Sequence, residues 1–215
     1  MAARIDDAAL TERGLDAPGD PIGGRVLLLA CGALAREVLA VIKINRLSHM
    51  DLTCLPANLH LYPEKITERV REAVLEHRDH YRQIFVLYAD CGTGGMLQKE
   101  CEALGVKMLA GPHCYSFFEG NETFAAHDDE ITAFYLTDFL VRQFEAFFWK
   151  PMGLDRHPEL LPMYFGNYEK LVYQAQTDDN TLKELAKTYA DRLGLAYEYR
   201  FTGYGDLAKS LRDFS

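Results

Sequence analysis

The sequence predicts an α/β protein: a doubly wound, mainly parallel sheet with flanking helices and a long aromatic helix in the middle. Two observations predict it. Short apolar runs alternate with amphipathic stretches along most of the chain, the pattern of strand–helix units. Alternation of this kind places helices on both faces of a parallel sheet. Glycines and cysteines fall just past several of them, where a strand turns sharply into a helix.

The elements follow in order. Arg25–Ala30 reads as the first strand, and Cys31-Gly32 turns it into a helix over Leu34–Arg46. A second strand, Asp51–Leu55, stops at Pro56. Pro63 suits the first turn of the next helix, where its missing N–H has no partner to lose. Ile66, Val70 and Val74 then recur every fourth residue, marking a buried stripe. The third strand runs from Ile84 to Asp90, Cys91-Gly-Thr-Gly-Gly95 turns into a helix over Met96–Leu104, Gly105 stops it, and Val106–Ala110 is the fourth strand. Between Asp128 and Leu161 the aromatics Phe134, Tyr135, Phe139, Phe144, Phe147, Phe148 and Trp149 point to one long helix ending near Lys150-Pro151. Alternation then resumes: strand Lys170–Gln174, helix Asn180–Arg192, strand Leu195–Phe201, helix Asp206–Arg212. The expected organisation is a flexible polar leader over 1–24 and one domain over 25–215. The domain divides into a first βα half (25–127), a helical insert (128–165) and a second βα half (166–215).

The 215 residues are enough for one large core, with 48% hydrophobic and 26% charged residues. Net charge is -9 and no Lys/Arg run appears, so a nucleic-acid partner is not expected. No apolar stretch is long enough to cross a bilayer, and the first residues lack the apolar core of a signal peptide. The expected compartment is the cytoplasm, where five widely spaced cysteines are thiols or ligands rather than disulfides.

Cys31, Cys91 and Cys114 each follow a strand-like run. In a parallel sheet the carboxyl ends of the strands share one edge, so cysteines distant in sequence can meet there and hold a metal. Three thiolates suit a [4Fe–4S] cluster with one iron open to a small-molecule substrate. With His113 or His60 as a further donor they suit tetrahedral zinc equally well. As small hydrophobes, the same cysteines would simply fill the core. Cys101 shares a helical face with Leu97 and Leu104 and reads as core; Cys54, inside the second strand, reads the same way.

Asp90 and His60 are the candidate proton-transfer residues, each in a strand–helix connection on the predicted edge. Gly32, Gly92, Gly94 and Gly95 are candidates for making room for a cofactor, although the 92–95 turn meets neither common phosphate-loop pattern. Asp138, Arg142 and Glu145 read as a solvated face of the aromatic helix, whose apolar stripe is core or a homodimer surface. Gln174, Gln176, Thr177 and Asp178 stand where substrate contacts are expected, although Asp178 or Asp179 also suits a helix cap.

The segments Ala30-Cys-Gly-Ala-Leu, Leu55-Pro-Ala-Asn-Leu-His60, Tyr88-Ala-Asp-Cys-Gly-Thr-Gly-Gly95, Gly111-Pro-His-Cys-Tyr115 and Phe134-Tyr-Leu-Thr-Asp-Phe139 together resemble an uncharacterised family, a domain of unknown function. The resemblance runs from Arg25 to the C-terminus. It implies an association with corrinoid-dependent methyltransferase systems, hence a small-molecule ligand or a partner protein of such a system. It implies no established activity. In arrangement alone the chain is also similar to quinolinate-synthase-like enzymes, in which three strand-end cysteines hold a cluster.

Overall fold

The structure is a computed structural model and describes residues 5–17, 24–127 and 130–214. Its strands form two parallel sheets rather than one, flanked by helices. The chain divides into two compact units, Met1–Ser116 with Leu207–Ser215, and Phe117–Asp206.

The first unit opens with helix α1 (Asp7–Glu12), where a flexible leader was expected. The Asp6 side chain caps it by accepting from the Ala8 N–H. Leu10 buries its side chain, and Leu15 bridges the backbone of Cys54. Burial of one apolar turn, with two backbone hydrogen bonds to Cys54, holds a segment whose polar composition concealed it. Residues 1–4 and 18–23 of the expected leader lie outside the described residues.

Four strands follow: β1 (Val26–Cys31), β2 (Met50–Leu55), β3 (Gln83–Leu87) and β4 (Lys107–Met108). Helices α2 (Ala35–Ile44), α3 (Pro63–His77) and α4 (Met96–Leu104) connect them. The strand order is β2-β1-β3-β4, all parallel, and every residue of β1 and β2 is buried. The fourth strand is much shorter than expected, because only Lys107 and Met108 pair with β3 before the chain bends away at Gly111.

The second unit contains the larger departure from the sequence expectation. After the short helices α5 (Ser116–Glu119) and α6 (Asn121–Ala125), Ala133–Thr137 is a strand, β5, not the first turns of a long helix. Helix α7 (Asp138–Arg142) follows, then a π-helical turn over Glu145–Trp149 and helix α8 (Leu161–Phe165). The alternation of Phe134 and Leu136 against Tyr135 and Thr137 is a two-residue period, which the density of aromatics disguised. Strands β6 (Lys170–Ala175) and β7 (Ala196–Phe201) complete a sheet of order β5-β6-β7, with helix α9 (Asn180–Leu193) between them and α10 (Gly205–Asp213) after them. Asp179 caps α9, and Gly194 ends it in the left-handed conformation.

One face of this sheet presents Phe134, Leu136, Leu171, Tyr173 and Ala175 to a core shared with Leu182, Ala186 and Ala190 of α9. Asp138 ties the strand ends together. It is buried, not solvated, and its carboxylate accepts from the Tyr173 hydroxyl (2.8 Å), the N–H groups of Gln176 (3.0 Å) and Thr177 (3.1 Å), and the Thr177 hydroxyl. Gln176 and Thr177, expected to contact substrate, thus serve as internal donors, and the Gln176 amide oxygen also accepts from the Asp138 N–H. Asp138→Ala leaves two buried donors, the Tyr173 hydroxyl and the Gln176 N–H, and two partly buried ones on Thr177 without their acceptor. The expected result is a loss of about 3 kcal/mol or more, read from the urea midpoint of the variant; an unchanged midpoint would show these bonds to be replaceable by water.

Candidate functional site

The strand order of the first unit decides where the site is. From β1 the chain crosses to β2 on one side, then returns to β3 on the other. The connections leaving β1 and β3 therefore diverge at their carboxyl ends, the usual ligand position in open parallel sheets. Cys31 is the last residue of β1, and Cys91 follows the end of β3. The 111–114 turn is fastened to the exit of β3 by two backbone bonds, Asp90 N–H to Gly111 (3.0 Å) and Cys91 N–H to Pro112 (3.1 Å). That fastening brings Cys114 to Cys91.

The two sulfurs stand 3.2 Å apart, and both cysteines are free thiols. Cys91 adopts φ +46°, a left-handed conformation that costs a non-glycine residue about 1–2 kcal/mol. Its thiol pKa is lowered to about 5, first by the proton donated from the Cys114 thiol, against the opposing effect of burial, and then by the His60 imidazole and the Cys114 N–H. Cys114 is correspondingly pushed well above the ordinary thiol range by donating to Cys91 and by burial. Burial raises Cys31 to about 12, although the Ala33 N–H donates to its sulfur. The edge therefore carries one thiolate, Cys91, flanked by two protonated thiols.

Tyr88 is the residue that sequence reasoning missed. Leu87 lies opposite Ala30 in the β1–β3 register, so Tyr88 falls beside Cys31. Its hydroxyl is buried and makes no hydrogen bond of good geometry among the described residues; the Cys31 thiol is the group it faces. Burial raises the phenol pKa, and Cys31, Cys114, Cys54 and Cys91 raise it further. A tyrosine inside an apolar run ending in Ala-Asp-Cys was the available signal.

Asp90 closes the turn that presents Cys91. Its carboxylate accepts from the N–H groups of Gly95 (2.7 Å) and Gly94 (3.2 Å) and from the Thr93 hydroxyl (2.9 Å). These bonds, that of Gly95 foremost, hold it below the ordinary carboxylate range despite burial. It is thus an ionised anchor for the turn. The amides of Gly94 and Gly95 serve Asp90, and their positive φ angles (+61° and +80°) shape the turn. Gly92 (φ +84°) passes the Pro63 ring, while a side chain at Gly32 would strike the Leu10 carbonyl oxygen at 2.5 Å. The space beside Gly32, expected to admit a cofactor, is filled by the chain's own α1.

Of the remaining candidates, His60 lies exposed on the 3-10 turn Ala57–Leu61 and reaches Cys91. His113 stacks on Tyr115 (centroids 4.9 Å apart), and burial lowers its pKa. Cys54 and Cys101 are core residues, both raised by burial. Among the described residues no three His, Cys, Asp or Glu side chains stand at metal-holding geometry. The fold thus brings together Cys91, Cys114 and His60, with Cys31 and Tyr88 alongside.

Alkylation by iodoacetamide across pH checks the charge assignment. Cys91 should reach half its full rate near pH 5 and be close to its full rate by pH 6.5, where an ordinary thiol is only about 1% ionised. Cys114→Ala and His60→Gln each remove a group that stabilises the thiolate, so both move the midpoint upward, Cys114→Ala by more. A native midpoint near that of a free thiol would refute the assignment.

No helix among the described residues is long and apolar enough to cross a membrane. No curated protein matches the chain. A family model described as a protein of unknown function (DUF1638) matches residues 54–211, a span that contains His60, Asp90, Cys91, His113 and Cys114 and begins after Cys31. That span is well over half of the chain, and the chain belongs to this family.

Proposed function

We propose that the carboxyl edge of the first sheet is a cysteine-thiolate site for a soft metal, with Cys91 and Cys114 as its first two ligands. The observation that carries this reading is the unbridged sulfur pair at 3.2 Å, held at a switch point beside a third thiol. Zinc–sulfur bonds are about 2.3 Å long, so two thiolates on one tetrahedral ion lie about 3.8 Å apart. A small opening of the pair meets that requirement. Sulfurs on separate irons of a [4Fe–4S] cluster stand much farther apart, so a cluster requires one of the two thiols to swing away. A single ion, zinc, is therefore favoured over the iron–sulfur cluster. A third donor has to move in, and His60, Cys31 and His113, which all interact electrostatically with Cys91, are the candidates.

The chain's charge balance suits a cation. Without one, the buried sulfurs carry a single negative charge, because each further thiolate would repel the first. A bound dication supplies the missing positive charge, keeps both thiols ionised and leaves a position for a thiol or small polar ligand. His60, exposed at the rim, is placed to carry a proton to or from such a ligand. Asp90 holds the turn, and Tyr88 offers a donor to the sulfur of Cys31. The association with corrinoid systems that the sequence resemblance implies would suit a component that handles a methyl-group acceptor, or an accessory protein of such a system.

One observation favours a second reading. Cys91 is ionised while Cys114 keeps its proton, the arrangement of a thiol–disulfide exchange pair. There Cys91 attacks a substrate disulfide, one substrate thiolate leaves, and Cys114 then displaces the second as the Cys91–Cys114 disulfide forms.

Metal analysis of protein purified without oxygen separates these readings. About one zinc per chain, absent from Cys91→Ala and Cys114→Ala and without visible absorption, is the expected result. Iron with matching sulfide and a brown colour would favour the cluster. Metal-free protein that forms a Cys91–Cys114 disulfide would establish the exchange pair in place of the metal site.

A further inference from the structure

Strand β7 lies at the edge of the second sheet, and among the described residues no strand pairs with its outer side. Natural edges are usually blunted by proline, lysine, a bulge or brevity. Strand β7 has no proline, lysine or bulge and is six residues long, Ala-Tyr-Glu-Tyr-Arg-Phe, with Tyr199 37% and Phe201 59% exposed. Its two charged side chains, Glu198 and Arg200, are drawn into ion pairs with Lys170, Glu119 and Glu130 on the face away from the aromatics.

The backbone orientation of this edge follows from its inner bonds. Ala196 donates to Glu169 (3.0 Å) and Thr202 to Ala175 (2.9 Å), so the even-numbered positions turn their backbone groups toward β6. In a parallel strand a residue's N–H and C=O point to the same side. Tyr197, Tyr199 and Phe201 therefore present theirs outward, three donors and three acceptors in a row.

We infer that β7 pairs antiparallel with β7 of a second copy of this chain about a two-fold axis at Tyr199. Charge chooses the register. An axis at position 198 sets Glu198 against Glu198, and one at 200 sets Arg200 against Arg200, both repulsive. An axis at 199 sets Glu198 of each copy opposite Arg200 of the other. These fall at the non-hydrogen-bonded positions, where side chains approach most closely. The same axis pairs Tyr199 with Tyr199, and Tyr197 with Phe201, at the hydrogen-bonded positions. All six outward backbone groups of each copy are then satisfied, and the aromatics meet on the opposite face. Charge, backbone orientation and aromatic pairing agree on one register. Two three-stranded sheets join into six strands, and the interface is isologous, as closed two-fold dimers require.

Sedimentation of the full chain across the micromolar range tests the inference, and a dimer is expected. Tyr199→Lys places two ammonium groups opposite each other at the axis and should weaken the dimer about tenfold or more, with circular dichroism checking that the variant folds. Tyr199→Cys should cross-link copy to copy through position 199 under mild oxidation, while Phe201→Cys, whose counterpart across the interface is Tyr197, should not cross-link through 201. A monomer throughout this range, a dimer indifferent to Tyr199→Lys in folded protein, or a cross-link preferring position 201 would each overturn the inference.

Discussion

The divergence of the chain at the carboxyl ends of β1 and β3 is the constraint on which the first unit's chemistry depends. A parallel strand order of β2-β1-β3-β4 sends the connections that leave β1 and β3 in opposite directions. The chain meets that divergence with small residues, tight turns and thiols. The Asp90 carboxylate ties up the amides of Gly94 and Gly95, and two backbone bonds from Asp90 and Cys91 fasten that turn to the 111–114 segment. The short separation of Cys91 and Cys114 is a consequence of this fastening, and the left-handed backbone of Cys91 is its cost.

Electrostatics then sets the character of the pocket. Three thiols in a largely buried edge cannot all ionise, since desolvation and mutual repulsion both oppose it. Cys91 takes the charge because it alone has donors on several sides: the Cys114 thiol, the His60 imidazole and the Cys114 N–H. Cys31 has one backbone donor and the buried Tyr88 phenol, and it stays protonated. A bound cation would let more than one of these thiols ionise, and for that reason the proposed metal uptake and the proposed thiol exchange draw on the same residues.

The second unit places its polar and apolar work on opposite faces of one sheet. Opposite the aromatic core face, Arg200 meets Glu119 (2.8 Å), Glu130 (2.7 Å) and Glu198, while Lys170 bridges Glu130 and Glu198 (2.8 Å each). Burial would raise the pKa of Glu130, but donation from Arg200, Lys170 and Tyr135 holds it far below the ordinary range. Gln174, fully buried in β6, donates to Glu119 (2.9 Å). Three carboxylates and two cations thus satisfy one another, a network whose members fix each other's positions.

Local pattern in the sequence determined most of the elements. Apolar runs revealed β1 and β3, and strand–helix alternation revealed β2 and β6, whose polar residues Asp51, Thr53 and Gln174 are buried in the sheets. Four-residue periodicity and a terminal glycine revealed α3 and α4. The strand-end position of the three cysteines was legible for the same reason. Tertiary structure decided the rest. Strand β5 was hidden because aromatics suit a helix stripe and a strand equally, and only pairing with β6 distinguishes them. The buried helix α1 and the brevity of β4 depend on contacts with residues distant in sequence. The pairing of Cys91 with Cys114, the protonation of each thiol and the place of Tyr88 beside Cys31 follow from strand order and register. A sequence lists donors and acceptors along one dimension, whereas a pKa depends on which of them meet in space.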